Sequence, residues 1–116
     1  MSLFKNTYKK GLIAEQIAKY YLQSKGLKYL SSRYKLPYAE IDLIMRHKNQ
    51  LIAIEVKYRN TKKKYILREL ISTKKIKKIS NALINYAQQN QFEHISMRID
   101  AILISKNNLE WIKNID

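Results

Sequence analysis

Asp42 and Glu55 stand where a packing residue would be expected. Asp42 lies between Ile41 and Leu43, and Glu55 lies between Ile54 and Val56, although the chain has only 9 Asp+Glu against 23 Lys+Arg. A carboxylate in a half-buried strand loses hydration unless a cation or hydrogen-bond donors compensate it. Lys57 follows Glu55 by two residues, and the period-two geometry of a strand puts both side chains on one face. Two carboxylates and a lysine around one point describe a hard-cation site. Oxygen ligands from Asp42, Glu55 and the Val56 carbonyl suit Mg²⁺ or Mn²⁺, with waters completing the shell. Such an ion polarises a phosphoryl group and lowers the pKa of a bound water. Lys57 would orient that water or stabilise charge in the transition state. A Glu-x-Lys triplet alone carries little weight in a Lys-rich chain. The weight comes from an acid upstream, with both acids in apolar runs and the polar segment His47-Lys48-Asn49-Gln50 between them.

Other acids have two readings each. Glu15 shares a helical stripe with Gly11, Ala18 and Leu22; the small residues would let that helix approach a sheet and aim Glu15 at the ion. Its alternative is a surface pair with Lys19 at i,i+4. Glu40 falls on the same side as Asp42 by period two, as a second ligand or as a strand-edge charge. Asp100 is read as a partner of Arg98 or a nearby lysine rather than as a ligand. His47 and His94 read as turn residues and Trp111 as core.

These residues need elements to hold them. Apolar residues recur with a helical period from Tyr8 to Ser24 (Leu12, Ala14, Ile17, Ala18, Tyr21, Leu22), with Lys25-Gly26 placed as a C-terminal stop. An extended segment over Leu27–Tyr34 follows, and Pro37 marks an edge or a loop. Glu40–Arg46 and Leu51–Arg59 read as strands joined by a hairpin turn. The doubly apolar start Leu51-Ile52-Ala53-Ile54 points to a central strand. Asn60–Ser72 reads as a basic irregular stretch. Thr73 is the expected N-cap of a helix to Asn90, with Ile76, Ile79, Leu83, Ile84 and Ala87 on its apolar face. Met97–Ile104 and Leu109–Ile115 are strands about an Asn107-Asn108 turn. The order is αβββαββ, an α/β fold with a central mixed sheet flanked by two main helices, within one domain spanning 1–116.

The 116 residues suit one domain with an ordinary core. There is no cysteine, which excludes disulfides, thiolate zinc sites and cysteine nucleophiles and is compatible with a reducing, cytoplasmic setting. Met1–Lys10 is short, polar and basic, without the apolar core of a secretory signal, and no run reaches membrane-spanning length. The formal charge is +14, which attracts phosphate backbones; a codon bias toward Lys, Ile, Asn and Tyr would raise it as well. Basic residues gather just after the proposed catalytic strand: Arg59, Lys62, Lys63, Lys64, Lys74, Lys75 and Lys78 are the candidates for gripping a nucleic-acid backbone. Lys74 and Lys75 sit near a helix start, where the dipole disfavours cations, which favours a phosphate-facing role. Tyr34, Tyr38, Tyr58 and Tyr65 are the non-helical tyrosines that could stack on bases.

Gly11-Leu-Ile-Ala-Glu15-Gln-Ile-Ala18, Glu40-Ile-Asp42-Leu-Ile44, Ile54-Glu55-Val-Lys57-Tyr-Arg59 and Arg98-Ile-Asp100 together resemble the motifs of the bacterial YraN-like family over nearly the whole chain. That family is similar to archaeal Holliday-junction resolvases and to the PD-(D/E)xK nucleases. The resemblance implies a restriction-endonuclease-like fold, with Glu15, Asp42, Glu55 and Lys57 in the four active-site positions. Ala39 stands where the family usually has glycine, and Ile99 where it usually has phenylalanine; neither change removes a ligand. The expected function is Mg²⁺- or Mn²⁺-dependent endonucleolytic hydrolysis of DNA, taken ahead of RNA, with branched or single-stranded intermediates as candidate substrates. Cutting both strands of a junction would call for a C2 homodimer. The competing readings are a catalytically silent nucleic-acid-binding protein of the same fold and an interaction protein whose charge reflects codon usage. No membrane partner is expected.

Overall fold

The computed structural model describes residues 3–59 and 70–116, with side chains from residue 9 onward. Helix α1 (Leu3–Ser24) leads into strands β1 (Lys28–Leu36), β2 (Ala39–His47) and β3 (Gln50–Tyr58). Helix α2 (Thr73–Gln89), β4 (Ser96–Ser105) and β5 (Asn108–Ile112) complete the described elements. They form one sheet in the order β1-β2-β3-β4-β5. All neighbours are antiparallel except β3 and β4, which run parallel. A parallel pair needs a crossover, and α2 lies within it. The order αβββαββ and the mixed sheet are those of a restriction-endonuclease-like fold.

Alternation along β3 sends Ile52 and Ile54 to one face and Leu51 and Ala53 to the other. The first pair packs with Ala14, Ala18 and Leu22 of α1, the second with Ile79, Ala82 and Leu83 of α2. The helices therefore cover opposite faces, and a strand apolar on both sides is what such a central position demands.

Local signals explain most boundaries. Gly26 has φ of 94°, a left-handed conformation that glycine adopts without a Cβ penalty. Leu27 N–H donates to Leu22 O and Gly26 N–H to Gln23 O, the Schellman pattern, with Leu22 and Leu27 buried in one cluster. Pro37 and Tyr38 make the two-residue turn between β1 and β2, so the proline sits outside the ladder. Lys48, with φ of 54°, turns β2 into β3 without the Asn-Gly signal.

Several expectations shift. Ser72, not Thr73, caps α2: its hydroxyl accepts from Lys75 N–H, and the two adjacent hydroxyl residues look alike in sequence. The buried stripe of α1 is Ala14, Ala18 and Leu22, while Ile17 is 44% exposed, because only a narrow stripe meets the sheet. A Cβ added at Gly11 would meet nothing, so that glycine does not bring helix and sheet together. The last strand ends at Ile112, and Ile115 N–H donates to Ile99 O instead.

Asp100 anchors that tail. It is fully buried and takes Arg98 Nε at 2.8 Å and Nη2 at 3.0 Å, Trp111 Nε1 at 2.9 Å and Asn114 N at 2.8 Å. Both oxygens are satisfied, as a buried carboxylate requires. The pairing with Arg98 expected from sequence is present, and this acid is structural.

Candidate active site

The β2–β3 ladder runs as far as Leu43 opposite Ile54. One step further brings Asp42 level with Glu55, and there the backbone ladder gives way to a side-chain contact: Val56 N–H donates to Asp42 Oδ2 at 2.8 Å. The strands fork at this point. Ile41 packs with the α2 cluster and Leu43 with the α1 cluster, although strict alternation would put residues two apart on one face. Arg33, level with Asp42 on β1, has φ of 52°, so both strands break their alternation here. Asp42 thus aims into the gap between β2 and β3 rather than at either hydrophobic layer.

Glu55 comes from the α2-facing side of β3 and is 4% exposed. Its Oε1 lies 3.0 Å from Lys75 Nζ and 3.7 Å from Lys57 Nζ. Its Oε2 is buried with no N–H donor among the described residues; the neighbouring Asp42 carboxyl, when protonated, is the group that hydrogen-bonds the Glu55 side chain. Period two thus puts Lys57 and Glu55 side by side, as expected. An N–H and C=O of one extended residue point toward the same neighbouring strand, so the Val56 carbonyl is turned toward the fork along with its N–H.

The charges disturb one another. Burial first, and then the Glu55 charge, raise Asp42 from 3.8 to about 7; Glu15 adds to the rise, and the Val56 N–H opposes it. Lys57 is held below the ordinary lysine range by burial and by the neighbouring Lys75. Burial also works against the charge on Lys75, but the adjacent Glu55 carboxylate outweighs it and raises that lysine. The nearer ammonium holds the anion, and the farther one is the easier to deprotonate. Perturbed groups gathered at a strand end are a feature that active sites share with structural ion-pair networks.

Glu15 stands apart. Its charge reaches Asp42, but its carboxylate is bound to Arg33 Nε at 3.1 Å, a partner on β1 rather than Lys19. Among the described residues no group of three His, Cys, Asp or Glu side chains gathers as a metal cluster; the fork holds a pair of acids. Glu40 is exposed near the β1–β2 turn and lies opposite Lys35. An orphaned buried carboxylate oxygen, a second carboxylate beside it and a carbonyl aimed the same way form an all-oxygen donor set, which fits a hard divalent cation.

Of the basic candidates, Lys74 and Lys78 are exposed on α2. Arg59 is exposed after β3, with its Nη1 on Tyr58 O at 2.9 Å. Lys62, Lys63, Lys64 and Tyr65 lie outside the described residues. Tyr34 donates to Asn85 and packs edge-on against Tyr86. Tyr58 is packed on the α1 cluster, and Tyr38 is 45% exposed. Lys75, expected from sequence among the backbone-gripping lysines, also forms an ion pair with Glu55, so a buried anion stands across the gap from this cation at the helix start.

The family model described as "Uncharacterised protein family UPF0102" matches residues 14–104. Similar proteins of that designation include one from Neisseria gonorrhoeae, 37% identical over 93% of this chain and 95% of its own. One from Shewanella loihica is 38% identical over 90% and 91%, and one from Francisella tularensis is 40% identical over 87% and 88%.

Proposed function

The chain belongs to the uncharacterised protein family UPF0102, and from the chemistry of its β2–β3 fork we propose that it is a metal-dependent endonuclease that hydrolyses phosphodiester bonds in DNA. The observation that carries this reading is the buried Glu55 carboxylate with one oxygen on lysine and the other without an N–H donor among the described residues, level with a second carboxylate. Leaving a buried oxygen unpaired costs about 1–3 kcal/mol, an arrangement that makes sense when a cation completes it.

Asp42, Glu55 and the Val56 carbonyl would hold Mg²⁺ or Mn²⁺. When bound, the ion supplies charge against the phosphoryl oxygens and a more acidic water. Lys57 Nζ orients that water or stabilises the charge that builds up in the transition state. Lys75, which holds Glu55 Oε1 at 3.0 Å, would bring its positive charge to a phosphate placed beside that carboxylate. Lys74 and Lys78 grip the flanking backbone as point charges. Glu15, tied to Arg33, serves through its charge on Asp42 or through a bridging water. A binding protein without turnover is the second reading; two carboxylates at the fork would repel a phosphate, which a purely binding protein does not need.

The test is a panel of linear, nicked, forked and four-way DNA, and RNA, incubated with Mg²⁺ or Mn²⁺. Cleavage of DNA that disappears in Asp42→Asn and in Glu55→Gln is the expected result. Intact strands throughout, from folded wild-type protein, would sink the proposal. The same four-way DNA, run through analytical ultracentrifugation, reports whether two copies act together.

A further inference from the structure

Between the β1–β2 turn and the start of α2 lies a cavity of about 360 Å³. Tyr38 stands at the turn, 45% exposed, with Glu40 exposed two residues on. Lys74 and Lys78, one helical turn apart and both exposed, line the opposite wall, and the buried Ile79 closes the inner end. Lys75 lines it too, and its Nζ rests 3.0 Å from Glu55 Oε1. The cavity therefore opens onto the carboxylate pair across a single side chain.

We infer that this cavity seats one unpaired nucleotide of the DNA, adjacent to the phosphodiester presented at the fork, and that it favours guanine. The inference rests on the nuclease reading and adds which DNA is taken. The space is at the lower end of the range for small-ligand cavities, so it suits one base and its sugar, not a stacked pair. A base inside a duplex has its faces covered and its edge paired; it reaches such a pocket only when it is already unpaired or is extruded. Tyr34 and Tyr58 are engaged in packing, whereas Tyr38, 45% exposed, has no ring partner among the described residues and can stack on a base. Glu40 repels phosphate, which makes it a poor wall for a backbone groove. Its carboxylate does accept N–H donors, and guanine offers two side by side on its Watson–Crick edge, matching two oxygens. The lysines on the opposite wall receive the phosphates of the same nucleotide. A pocket for phosphate alone would want neither the acid nor the ring, and a pocket for an apolar ligand would not be walled by three lysines.

The experiment is fluorescence anisotropy in EDTA with three labelled probes: a short paired duplex, the same duplex with one bulged guanine, and the same duplex with one bulged thymine. The bulged-guanine duplex is expected to bind roughly tenfold tighter than the paired one, since stacking of one base carries an effect of that order, with bulged thymine between. Tyr38→Ala should bring both bulged probes to the level of the paired duplex, Tyr38→Phe should restore the preference, and Glu40→Gln should erase the difference between guanine and thymine. Tyr38 and Glu40 are exposed, and a melting temperature unchanged in each variant confirms that the hairpin is intact. Equal binding of bulged and paired DNA by the wild type, a preference that survives Tyr38→Ala, or no binding of any probe would overturn the pocket. Cleavage of the same duplexes in Mn²⁺ keeps the two ideas apart. Cutting without bulge preference removes the pocket and leaves the hydrolase; bulge preference without cutting leaves the pocket and removes the hydrolase.

Discussion

Lys75 Nζ lies 3.0 Å from Glu55 Oε1, while Lys57 Nζ on the same strand as that acid lies at 3.7 Å. The closer cation comes from a helix twenty residues further along the chain, so the acid's main partner is tertiary. Lys75→Met removes it and leaves a buried charge with the weaker neighbour. Because the Lys75 side chain is 41% exposed, the loss should be nearer about 1 kcal/mol than the several of a fully buried pair. A double-mutant cycle with Glu55→Gln, read by urea unfolding, should return a favourable coupling of that order. Additive single effects would show that the contact contributes nothing.

Asp42 gives stability a pH dependence of unusual sign for an acid. Its folded value of about 7 lies above the unfolded 3.8 because burial, and then Glu55, disfavour the charge. Between those values the folded state binds more protons than the unfolded one, so the stabilisation is complete below pH 4 and is lost as pH rises toward 7. The shift sets a ceiling of about 4 kcal/mol. Asp42→Asn keeps an oxygen for the Val56 N–H and carries no charge, so it should be the more stable protein at pH 8 and close to wild type at pH 4. Urea titrations of both proteins across that range measure the difference; parallel curves would contradict it.

Divalent cations should reverse that loss. Mn²⁺ or Mg²⁺ at a hundredfold excess over its dissociation constant adds about 2.7 kcal/mol to unfolding, visible as a rise in Tm. Asp42→Asn and Glu55→Gln should each abolish the rise. Since the proton on Asp42 must leave, calorimetric affinity should weaken from pH 8 to pH 6, with heats that scale with buffer ionisation enthalpy. A Tm rise retained in both variants would place the ion elsewhere.

Asp100 provides the contrasting acid. Asp100→Ala removes the carboxylate partner of the partly exposed Arg98, leaving it only Gln50 Oε1, and leaves Trp111 Nε1 and Asn114 N without their acceptor. A loss of about 3–5 kcal/mol is expected, with a change in Trp111 fluorescence. Metal binding per folded molecule should stay intact, in contrast to the Asp42 and Glu55 variants.

Much of this site was legible because it violates local rules. Asp42 and Glu55 drew notice as acids in apolar strands, and their convergence followed from a hairpin of simple register. Lys57 followed from alternation. What could not be read was anything set by contacts distant in sequence. Nothing near Lys75 names Glu55 as its partner, and Glu15 gives no hint that Arg33, held at a left-handed φ on β1, would claim it in place of Lys19. Period two also misleads at Asp42, since the strands part there and the side chain leaves the alternating pattern. Ile17 fits the helical period but sits outside the stripe that the sheet covers, a tertiary fact. Ser72 and Thr73 are equal candidates until the chain's direction into the helix is known.

The parallel pairing of β3 with β4 has a consequence for the order of events as the chain folds. Gln50 pairs with Ser96 and Tyr58 with Ile104, separations of 46 residues, whereas the β1–β2–β3 meander closes through tight turns. Loop closure favours the meander early. Both carboxylates therefore meet while Lys75 is still unattached, and the young hairpin has only Lys57, the farther of the two cations, beside Glu55 until the helix arrives. Docking of that helix thereby becomes the step that buries the acids and brings their closer cation at the same moment.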